Sequence, residues 1–138
     1  MILAAIALVI LAPRMAASDH TVTDPREYCD HVAGLIVEQD IDELTGDLLA
    51  HTSRVGTLGD IRAGMGNLVP FWSKVGNLHS NAHVSAKKFG DDYVRHWYVF
   101  VYDLGPLFVR CTMYRPGDSW LFINMEYSDK PEDTGLTK

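Results

Sequence analysis

Basic side chains are scarce in this sequence, and their scarcity argues against two classes of partner. The 138 residues include 12 lysines and arginines against 18 acidic residues, which gives a formal net charge of −6. The basic residues are scattered, and Lys87-Lys88 is the only adjacent pair. Proteins that bind nucleic acid or anionic membranes usually carry clustered lysine and arginine. We therefore expect no nucleic-acid partner and, once a leader is removed, no membrane association.

Motifs for catalysis and for metal binding are also missing. The sequence contains no Gly-x-Ser-x-Gly motif, and it places no histidine beside either of its two cysteines, so an activated nucleophile has no support. His79 and His83 have the i, i+4 spacing of metal ligands on a helix, but their segment reads as a loop without a third ligand. The glycines between residues 56 and 66 follow no strand and match no phosphate-binding pattern. We predict no catalytic residue, no metal site and no cofactor.

The first twelve residues form the longest apolar run. This run is too short to span a bilayer and has the length of the hydrophobic region of a signal peptide. Ala16 and Ser18 place small side chains three and one residues before a possible cut ahead of Asp19. No basic residue precedes the run, so the alternatives are a start codon assigned too late or a short N-terminal anchor. We interpret residues 1–18 as a signal peptide and expect a periplasmic or secreted protein.

Helical spacing dominates the first half of the remaining sequence. Asp24-Pro25 predicts a helix that ends near Gln39, because an acidic cap and a proline at the first position favour helix starts. Its buried stripe is Cys29, Val32, Ala33 and Ile36. A second helix is predicted over residues 42–51. Thr57 can cap a third, whose apolar stripe is Ile61, Met65, Leu68, Trp72 and Val75, although Gly64, Gly66 and Pro70 weaken it.

After about Ser80 the pattern becomes alternating, which predicts strands. Segments rich in β-branched and aromatic residues are separated by turn residues, and they are Val84–Phe89, Tyr93–Asp103, Leu107–Tyr114 and Trp120–Ser128. The predicted fold class is α+β, with two or three N-terminal helices packed on a four-stranded antiparallel meander. Residues 130–138 are polar, and we expect them to form a flexible tail.

Helices followed by a meander, with the segment MYRPGDSWLFINMEY at Met113–Tyr127, make the chain resemble small exported members of the NTF2-like, cystatin-like superfamily. The resemblance covers roughly Asp24–Asp129, within a domain that we predict at residues 19–129, and it rests on the Tyr-Arg-Pro…Trp hairpin and the order of elements. It implies the fold. That superfamily includes isomerases, cyclases and dehydratases as well as domains that only bind or dimerise. No catalytic motif of its enzymes maps onto this sequence.

The alternation divides the strand residues between two faces. If Val101 pairs with Val109 and Met113 with Leu121, one face is apolar and needs the helices as cover. That face is Trp97, Val99, Val101, Leu107, Val109, Cys111, Met113, Leu121, Ile123, Met125 and Tyr127. The other face mixes aromatic and polar side chains and is Tyr102, Phe108, Thr112 and the candidate binding residues His96, Tyr98, Phe100, Arg110, Tyr114, Trp120, Phe122, Asn124 and Glu126. We interpret it as the working surface, a homodimer interface rich in the side chains that interface centres favour. The alternatives are that the helices or the tail cover this face, or that the register is wrong by one residue.

The two cysteines are predicted to point into the same core. Cys29 lies on the buried stripe of the first helix, and Cys111 lies in the middle of the covered sheet face. They form either a disulfide, as an oxidising compartment allows, or two buried free thiols.

The function predicted from these features is that of an exported domain that binds a small apolar ligand or a second copy of itself. The alternative is a small-molecule isomerase or cyclase with a cone-shaped pocket between the helices and the apolar sheet face. That chemistry needs a carboxylate or histidine in an apolar pocket, and the candidates are His96, Asp103, Glu126 and the tyrosines. The location of these side chains distinguishes the two functions.

Export gives the first testable prediction. Protein produced in an exporting bacterial host should begin near Asp19, because the small residues at positions 16 and 18 fit the cleavage site. N-terminal sequencing of the periplasmic fraction checks this. Recovery of protein that retains Met1 in the cytosolic fraction would contradict it.

Overall fold

Four helices precede a four-stranded antiparallel sheet in the computed structural model of this protein, which describes residues 21–52 and 58–137. The helices are α1 (Pro25–Glu38), α2 (Ile41–His51), α3 (Leu58–Gly66) and α4 (Leu68–Val75). The strands are β1 (Leu78–Lys88), β2 (Tyr93–Tyr102), β3 (Gly105–Tyr114) and β4 (Leu121–Ser128), and they are neighbours in sequence order. The predicted α+β class is confirmed. The leader at residues 1–18, the cleavage site before Asp19 and the Thr57 cap lie outside the described residues.

Helix α1 begins and ends where its sequence signals predict. The Asp24 side chain accepts a hydrogen bond of 2.8 Å from the backbone N–H of Arg26, and Pro25 occupies the first position. Asp24 thereby satisfies one of the donors that a helix start leaves without a partner. Gln39 ends the helix in the left-handed conformation, at φ 58°. The predicted stripe of Cys29, Val32, Ala33 and Ile36 is buried, as expected.

The predicted third helix is divided at Asn67. Residues Leu58–Gly66 form α3 and Leu68–Val75 form α4, so the break falls directly after Gly66. Pro70 is the third residue of α4, in the turn whose N–H groups have no partner within the helix, and a proline is tolerated there. The predicted apolar residues Met65, Leu68, Trp72 and Val75 are buried all the same.

Strand β1 begins six residues earlier than predicted. His79 and His83 were expected in a loop and instead belong to β1, which starts at Leu78. The early start of β1 is explained by a tertiary contact, because the turn after β2 forms hydrogen bonds with the connection between α4 and β1. Asp103 accepts a 2.7 Å hydrogen bond from the Asn77 N–H and donates its own N–H to the Asn77 carbonyl at 3.0 Å. Gly76 (φ 78°) permits this approach, because a Cβ there would lie 2.5 Å from the Asp103 carboxylate.

The predicted register between β2 and β3 is wrong. Val109 pairs with Tyr98, not with Val101, and Tyr102 pairs with Gly105 across a two-residue turn. The shift is an odd number of residues, so the two faces of β2 exchange. His96, Tyr98, Phe100 and Tyr102 therefore lie on the face that the helices cover, whereas the opposite face carries Trp97, Val99 and Val101.

A bulge changes the faces of β4 partway along the strand. Met113 pairs with Phe122, not with Leu121, and Cys111 pairs with Met125. The register shift between them makes Ile123 the extra residue. Phe122, predicted on the aromatic interface, is consequently a core residue with 1% exposure. Met125 and Tyr127 keep their predicted place on the covered face.

A disulfide joins the helices to the centre of the sheet. Of the two alternatives for the cysteines, the structure has the bridge: Cys29 of α1 and Cys111 of β3 are bonded, with Cα atoms 6.0 Å apart. Both side chains are 1% exposed and belong to the apolar core. The bridge therefore fixes α1 over β3 from within that core.

The C-terminal segment also differs from its prediction. Residues Pro131–Thr134 form a 3₁₀ helix that packs on the sheet face opposite the α-helices. The Thr134 carbonyl accepts hydrogen bonds from the Trp97 indole at 3.0 Å and from Arg110 Nη1 at 3.1 Å. Trp97 and Arg110 are buried under this segment and not exposed to a partner. Cover by the tail, one of the alternatives left open above, is the arrangement found.

Removing the disulfide should destabilise the fold strongly. The bridge closes a loop with a sequence separation of 82 residues, and in the chain-entropy account such a loop is worth about 4–5 kcal/mol of unfolding free energy. We expect the double variant Cys29→Ala/Cys111→Ala to lose about that much in urea denaturation. Dithiothreitol should destabilise the natural protein and leave the double variant unchanged. Equal stability of the two proteins without reductant would contradict the prediction.

Candidate functional site

The sheet face opposite the α-helices, called the outer face below, carries its polar residues in two rows across the strands. One row runs Ser85, Trp97, Arg110, Glu126, and the next runs Lys87, Arg95, Thr112, Asn124, since each residue pairs with the next across a strand boundary. Directly opposed residues project from the same side of a sheet and their side chains are close enough to interact. The register thus assembles a polar patch in the middle of the outer face.

A pocket of about 430 Å³ opens over this patch. Strands β1, β2 and β3 form its floor, and the segment after the 3₁₀ helix forms one wall. Its lining is Ser85, Ala86, Lys87, Phe89, Arg95, Trp97, Arg110, Asp133, Gly135 and Leu136. This volume lies in the range of small-molecule sites. We call it the outer pocket.

The cations of the outer pocket are unevenly paired. Arg110 Nη2 lies 2.6 Å from Glu126 Oε1, and that guanidinium also donates to the Thr134 carbonyl. Arg95 and Lys87 form no ion pair with any described residue. Instead, the Arg95 guanidinium carbon lies 4.9 Å and the Lys87 ammonium 5.1 Å from the centre of the Phe89 ring. Among the described residues, these two cations of the pocket therefore have no carboxylate within ion-pair distance.

Polar atoms without partners concentrate on the same face. Seven buried side-chain nitrogen or oxygen atoms of the described residues lack a hydrogen-bond partner, and four of them belong to Arg95, Arg110, Thr112 and Asn124. Native proteins leave few such atoms, because each costs roughly 1–3 kcal/mol. Four of the seven thus lie in two adjacent rows of the outer face.

The C-terminal wall is held firmly to the floor. Gly135 adopts φ 77° and donates its N–H to the Glu132 carbonyl at 3.1 Å, and Leu136 donates to Pro131 at 3.2 Å. These bonds close the turn that places Leu136 over the pocket. Asp133, also in the wall, accepts a hydrogen bond of 2.8 Å from the Ser128 hydroxyl. The wall thus depends on β4 and on the Trp97 and Arg110 bonds to Thr134.

A second polar cluster lies on the covered face, between α1 and the β1 edge. Tyr98 donates its hydroxyl to Asp30 at 2.6 Å, and Arg26 Nε donates to the same oxygen at 2.8 Å. Burial by itself raises the pKa of Asp30, but these two bonds outweigh it and the pKa is lowered. Burial, followed by the bond to Asp30, raises the pKa of Tyr98. The ion pair is exposed to solvent on α1.

His96 is a buried histidine of that cluster. Its Nδ1 lies 3.0 Å from His83 Nε2, and its Nε2 has no hydrogen-bond partner among the described residues. Burial, the neighbouring His83 and then Arg26 lower the pKa of His96 to about 4. Its exposure is 6%, and it pairs directly with Cys111 beside the disulfide. His83 and Tyr98 line a hollow at this edge, whereas His96 lies behind them.

The structure separates the residues of the predicted interface. His96, Tyr98, Phe100 and Phe122 lie on the covered face and are buried, which corrects their assignment to a free surface. Arg110, Asn124, Glu126 and Tyr114 do lie on the outer face, but Arg110 is buried beneath the C-terminal segment. Trp120, also buried, pairs with Val22. The homodimer stays a prediction, and it loses the aromatic surface on which it was based.

Most lining residues of the outer pocket were not predicted as site residues. Among them are Lys87, Phe89 and Arg95, which flank the turn of the β1–β2 hairpin. The turn Gly90-Asp91-Asp92 between two predicted strands was a usable signal, because a tight turn brings flanking residues side by side. Which of their side chains share a face depends on the β1 bulge between His83 and Ser85, which a repeating pattern does not reveal.

Comparison with known proteins gives no match from which a function could be transferred. No protein family, no curated protein and no solved structure matches the chain. None of the described helices is long and apolar enough to cross a membrane. Within residues 21–52 and 58–137, no group of three or more histidine, cysteine or acidic side chains is arranged to hold a metal ion. The class is therefore given by architecture: four helices on one face of an antiparallel meander, with a polar pocket on the other.

Protonation of His96 should destabilise the protein. The pKa is about 4 in the folded state against an ordinary 6.5, so between these values the unfolded chain binds a proton that the folded chain does not. The free energy of unfolding should therefore fall as the pH falls from about 6.5 to about 4, by up to roughly 3 kcal/mol. Carboxylates that titrate between the same pH values also change the free energy of unfolding. A variant without the histidine therefore separates the contribution of His96 from theirs.

Urea denaturation of the natural protein and of His96→Phe at pH 7, 5.5 and 4.5 measures this contribution. The free energy of unfolding of His96→Phe, relative to that of the natural protein, should increase as the pH falls. His31→Gln is the control, since the His31 side chain is 52% exposed. A difference between the natural protein and His96→Phe that stays constant with pH would contradict the prediction.

Proposed function

We propose that this protein is an exported small-molecule-binding domain that acts by binding and not by catalysis, and that its ligand occupies the outer pocket. The observation that carries the proposal is the concentration of polar groups without partners around that pocket. Folded proteins usually give each buried polar atom a hydrogen-bond partner, and exceptions are expected at functional sites. Here four of the seven exceptions belong to residues that line or adjoin a pocket of suitable volume.

Export rests on two supports. The apolar run and small residues at 1–18 have the pattern of a signal peptide. The Cys29–Cys111 disulfide adds to this, because disulfides persist in the periplasm and outside the cell and are rare in reducing compartments. We therefore propose a periplasmic or secreted location for the mature domain.

The enzyme alternative has less support from the positions of its candidate groups. Glu126 is on the outer face, paired with Arg110, and Asp103 is exposed in the β2–β3 turn. Neither carboxylate reaches the interior between helices and sheet. His96 does lie there, but behind His83 and with no carboxylate bonded to it. A general base must reach the proton that it removes, so binding is the better interpretation.

We also propose that the domain is an outlying member of the NTF2-like superfamily. The support is the order of elements, with helices before a four-stranded antiparallel meander whose one face the helices cover. The ligand site proposed here lies on the opposite face of the sheet. The binding role is thus argued from the pocket itself and does not depend on the superfamily assignment.

A fragment screen with a blocking variant tests the binding function. Leu136→Trp places a larger side chain in the wall of the outer pocket, and Leu104→Trp makes the same change at a turn residue that is 78% exposed. A set of acidic, basic and neutral fragments is screened by ¹H–¹⁵N NMR on the mature, oxidised protein. Binders should shift the signals of the Trp97 indole and of Leu136, in the natural protein and in Leu104→Trp but not in Leu136→Trp.

Two results would overturn the proposed function. One is a screen in which no fragment of any charge binds. The other is binding that Leu136→Trp leaves unchanged, with shifts centred on the covered face at Phe100 or on the α1–β1 hollow at His83. Equal melting temperatures for the two tryptophan variants would show that the blocked protein is folded.

A further inference from the structure

Two like charges oppose each other in the outer pocket. Lys87 of β1 and Arg95 of β2 are directly paired across the strands, and both side chains line the pocket. Like charges in directly opposed positions destabilise a sheet. The protein has a net charge of −6, so acidic residues that could separate or neutralise the pair are abundant in the chain. The pairing is therefore an arrangement that the fold by itself does not favour.

The acidic side chains near the pocket are engaged elsewhere. Glu126 is bound to Arg110 at 2.6 Å, and Asp133 accepts the Ser128 hydroxyl at 2.8 Å. The described residues form no ion pair with Lys87 or Arg95. The Arg95 Nε is buried without a hydrogen-bond partner. The terminal nitrogens of its guanidinium form no hydrogen bond with the described residues, so they can donate to a ligand.

Phe89 holds both cations in place without neutralising them. The ring centre lies 4.9 Å from the Arg95 guanidinium and 5.1 Å from the Lys87 ammonium. A contact between a cation and an exposed ring is weak, and it leaves the positive charge intact. The ring therefore positions two charged groups in the lining of the pocket, where an anion would relieve their repulsion.

Arg110 adds a third cation at the floor. Its two terminal nitrogens are committed to the Thr134 carbonyl and to Glu126. Its Nε is buried without a partner, and the residue, 9% exposed, lines the pocket. Carboxylate and phosphate are the groups that guanidinium forks bind best, because two of their oxygens can accept two parallel hydrogen bonds.

We infer that the ligand of the outer pocket is a small organic anion, whose carboxylate or phosphate group is bound by Arg95 and Lys87 and whose apolar body rests against Trp97 and Leu136. This inference rests on the proposed binding function and names its ligand class. Carboxylates and phosphate esters share the recognised chemistry. The probes described below distinguish a carboxylate ligand from a phosphate ester.

Four probes of matched shape test the charge. Benzoate and phenyl phosphate carry the oxyanion, benzamide is the neutral counterpart of benzoate, and benzylamine carries the opposite charge. Titration by ¹H–¹⁵N NMR should give benzoate or phenyl phosphate at least tenfold tighter binding than benzamide, with no binding of benzylamine. The tighter of the two anions identifies the preferred source. Equal affinities for benzoate, phenyl phosphate and benzamide would overturn the inference while leaving the binding function intact.

Charge-removing variants test the residues. Arg95→Gln and Lys87→Gln should each weaken binding of the preferred anion about tenfold or more, since hydrogen bonds to charged groups are the strong ones. Lys88→Gln is the matched control, because Lys88 is the adjacent lysine and pairs with Val94 on the other face. It should bind as the natural protein does. An equal loss in Lys88→Gln, or no loss in Arg95→Gln, would overturn the assignment.

Stability separates a ligand-binding role of Arg95 from a structural one. Removing one of two opposed cations should leave the urea midpoint of the free protein unchanged or raised. Arg95→Lys keeps the charge but removes the guanidinium fork, and it should bind the anion more weakly at unchanged stability. A clear fall in the urea midpoint of Arg95→Gln, together with unchanged anion binding, would show that Arg95 only supports the fold.

Discussion

The pairing register of β2 against β3 is the constraint on which the rest of the structure depends. A two-residue turn sets Tyr102 opposite Gly105, and this turn is held by hydrogen bonds from Asp103 and Leu104 to the end of the helical layer. A shift of one residue would exchange every side chain of β2 between the core and the outer face. The tertiary bonds at this corner therefore decide both what the helices cover and what the outer pocket contains.

On the covered side, the register places a histidine beside the disulfide. His96 is directly opposite Cys111, and Tyr98, the next residue on that face, reaches Asp30 on α1. The disulfide and this polar contact both bind α1 to the sheet, one through the core and one at its edge. These two contacts restrict the separation of α1 from the sheet. The restriction agrees with the ligand site that we propose on the outer face.

On the outer side, the same register brings three cations together, and only one of them is paired with a carboxylate. Lys87 faces Arg95 across one strand pair, and Arg110 faces Glu126 across another. The 3₁₀ helix then covers Trp97 and Arg110 but leaves the Lys87–Arg95 end open. Natural proteins depart from local rules mainly at functional sites. The opposed cations are such a departure, and the anionic ligand that we propose for the pocket would account for it.

Local chemistry in the sequence by itself determined most of the helices and strands, from the Asp24 cap of α1 to the turn residues of the meander, and with them the α+β class. It also determined that Cys29 and Cys111 point into one core, because helical and alternating periods assign a side chain to a face within each element. Only the tertiary structure decided the register of β2, the bulge at Ile123 and the docking of the C-terminal segment. The physical reason is that β2 is apolar or aromatic at every position from Trp97 to Val101, so alternation cannot tell its faces apart. The outer pocket, built from that choice of face, could be seen only once distant elements had been brought together.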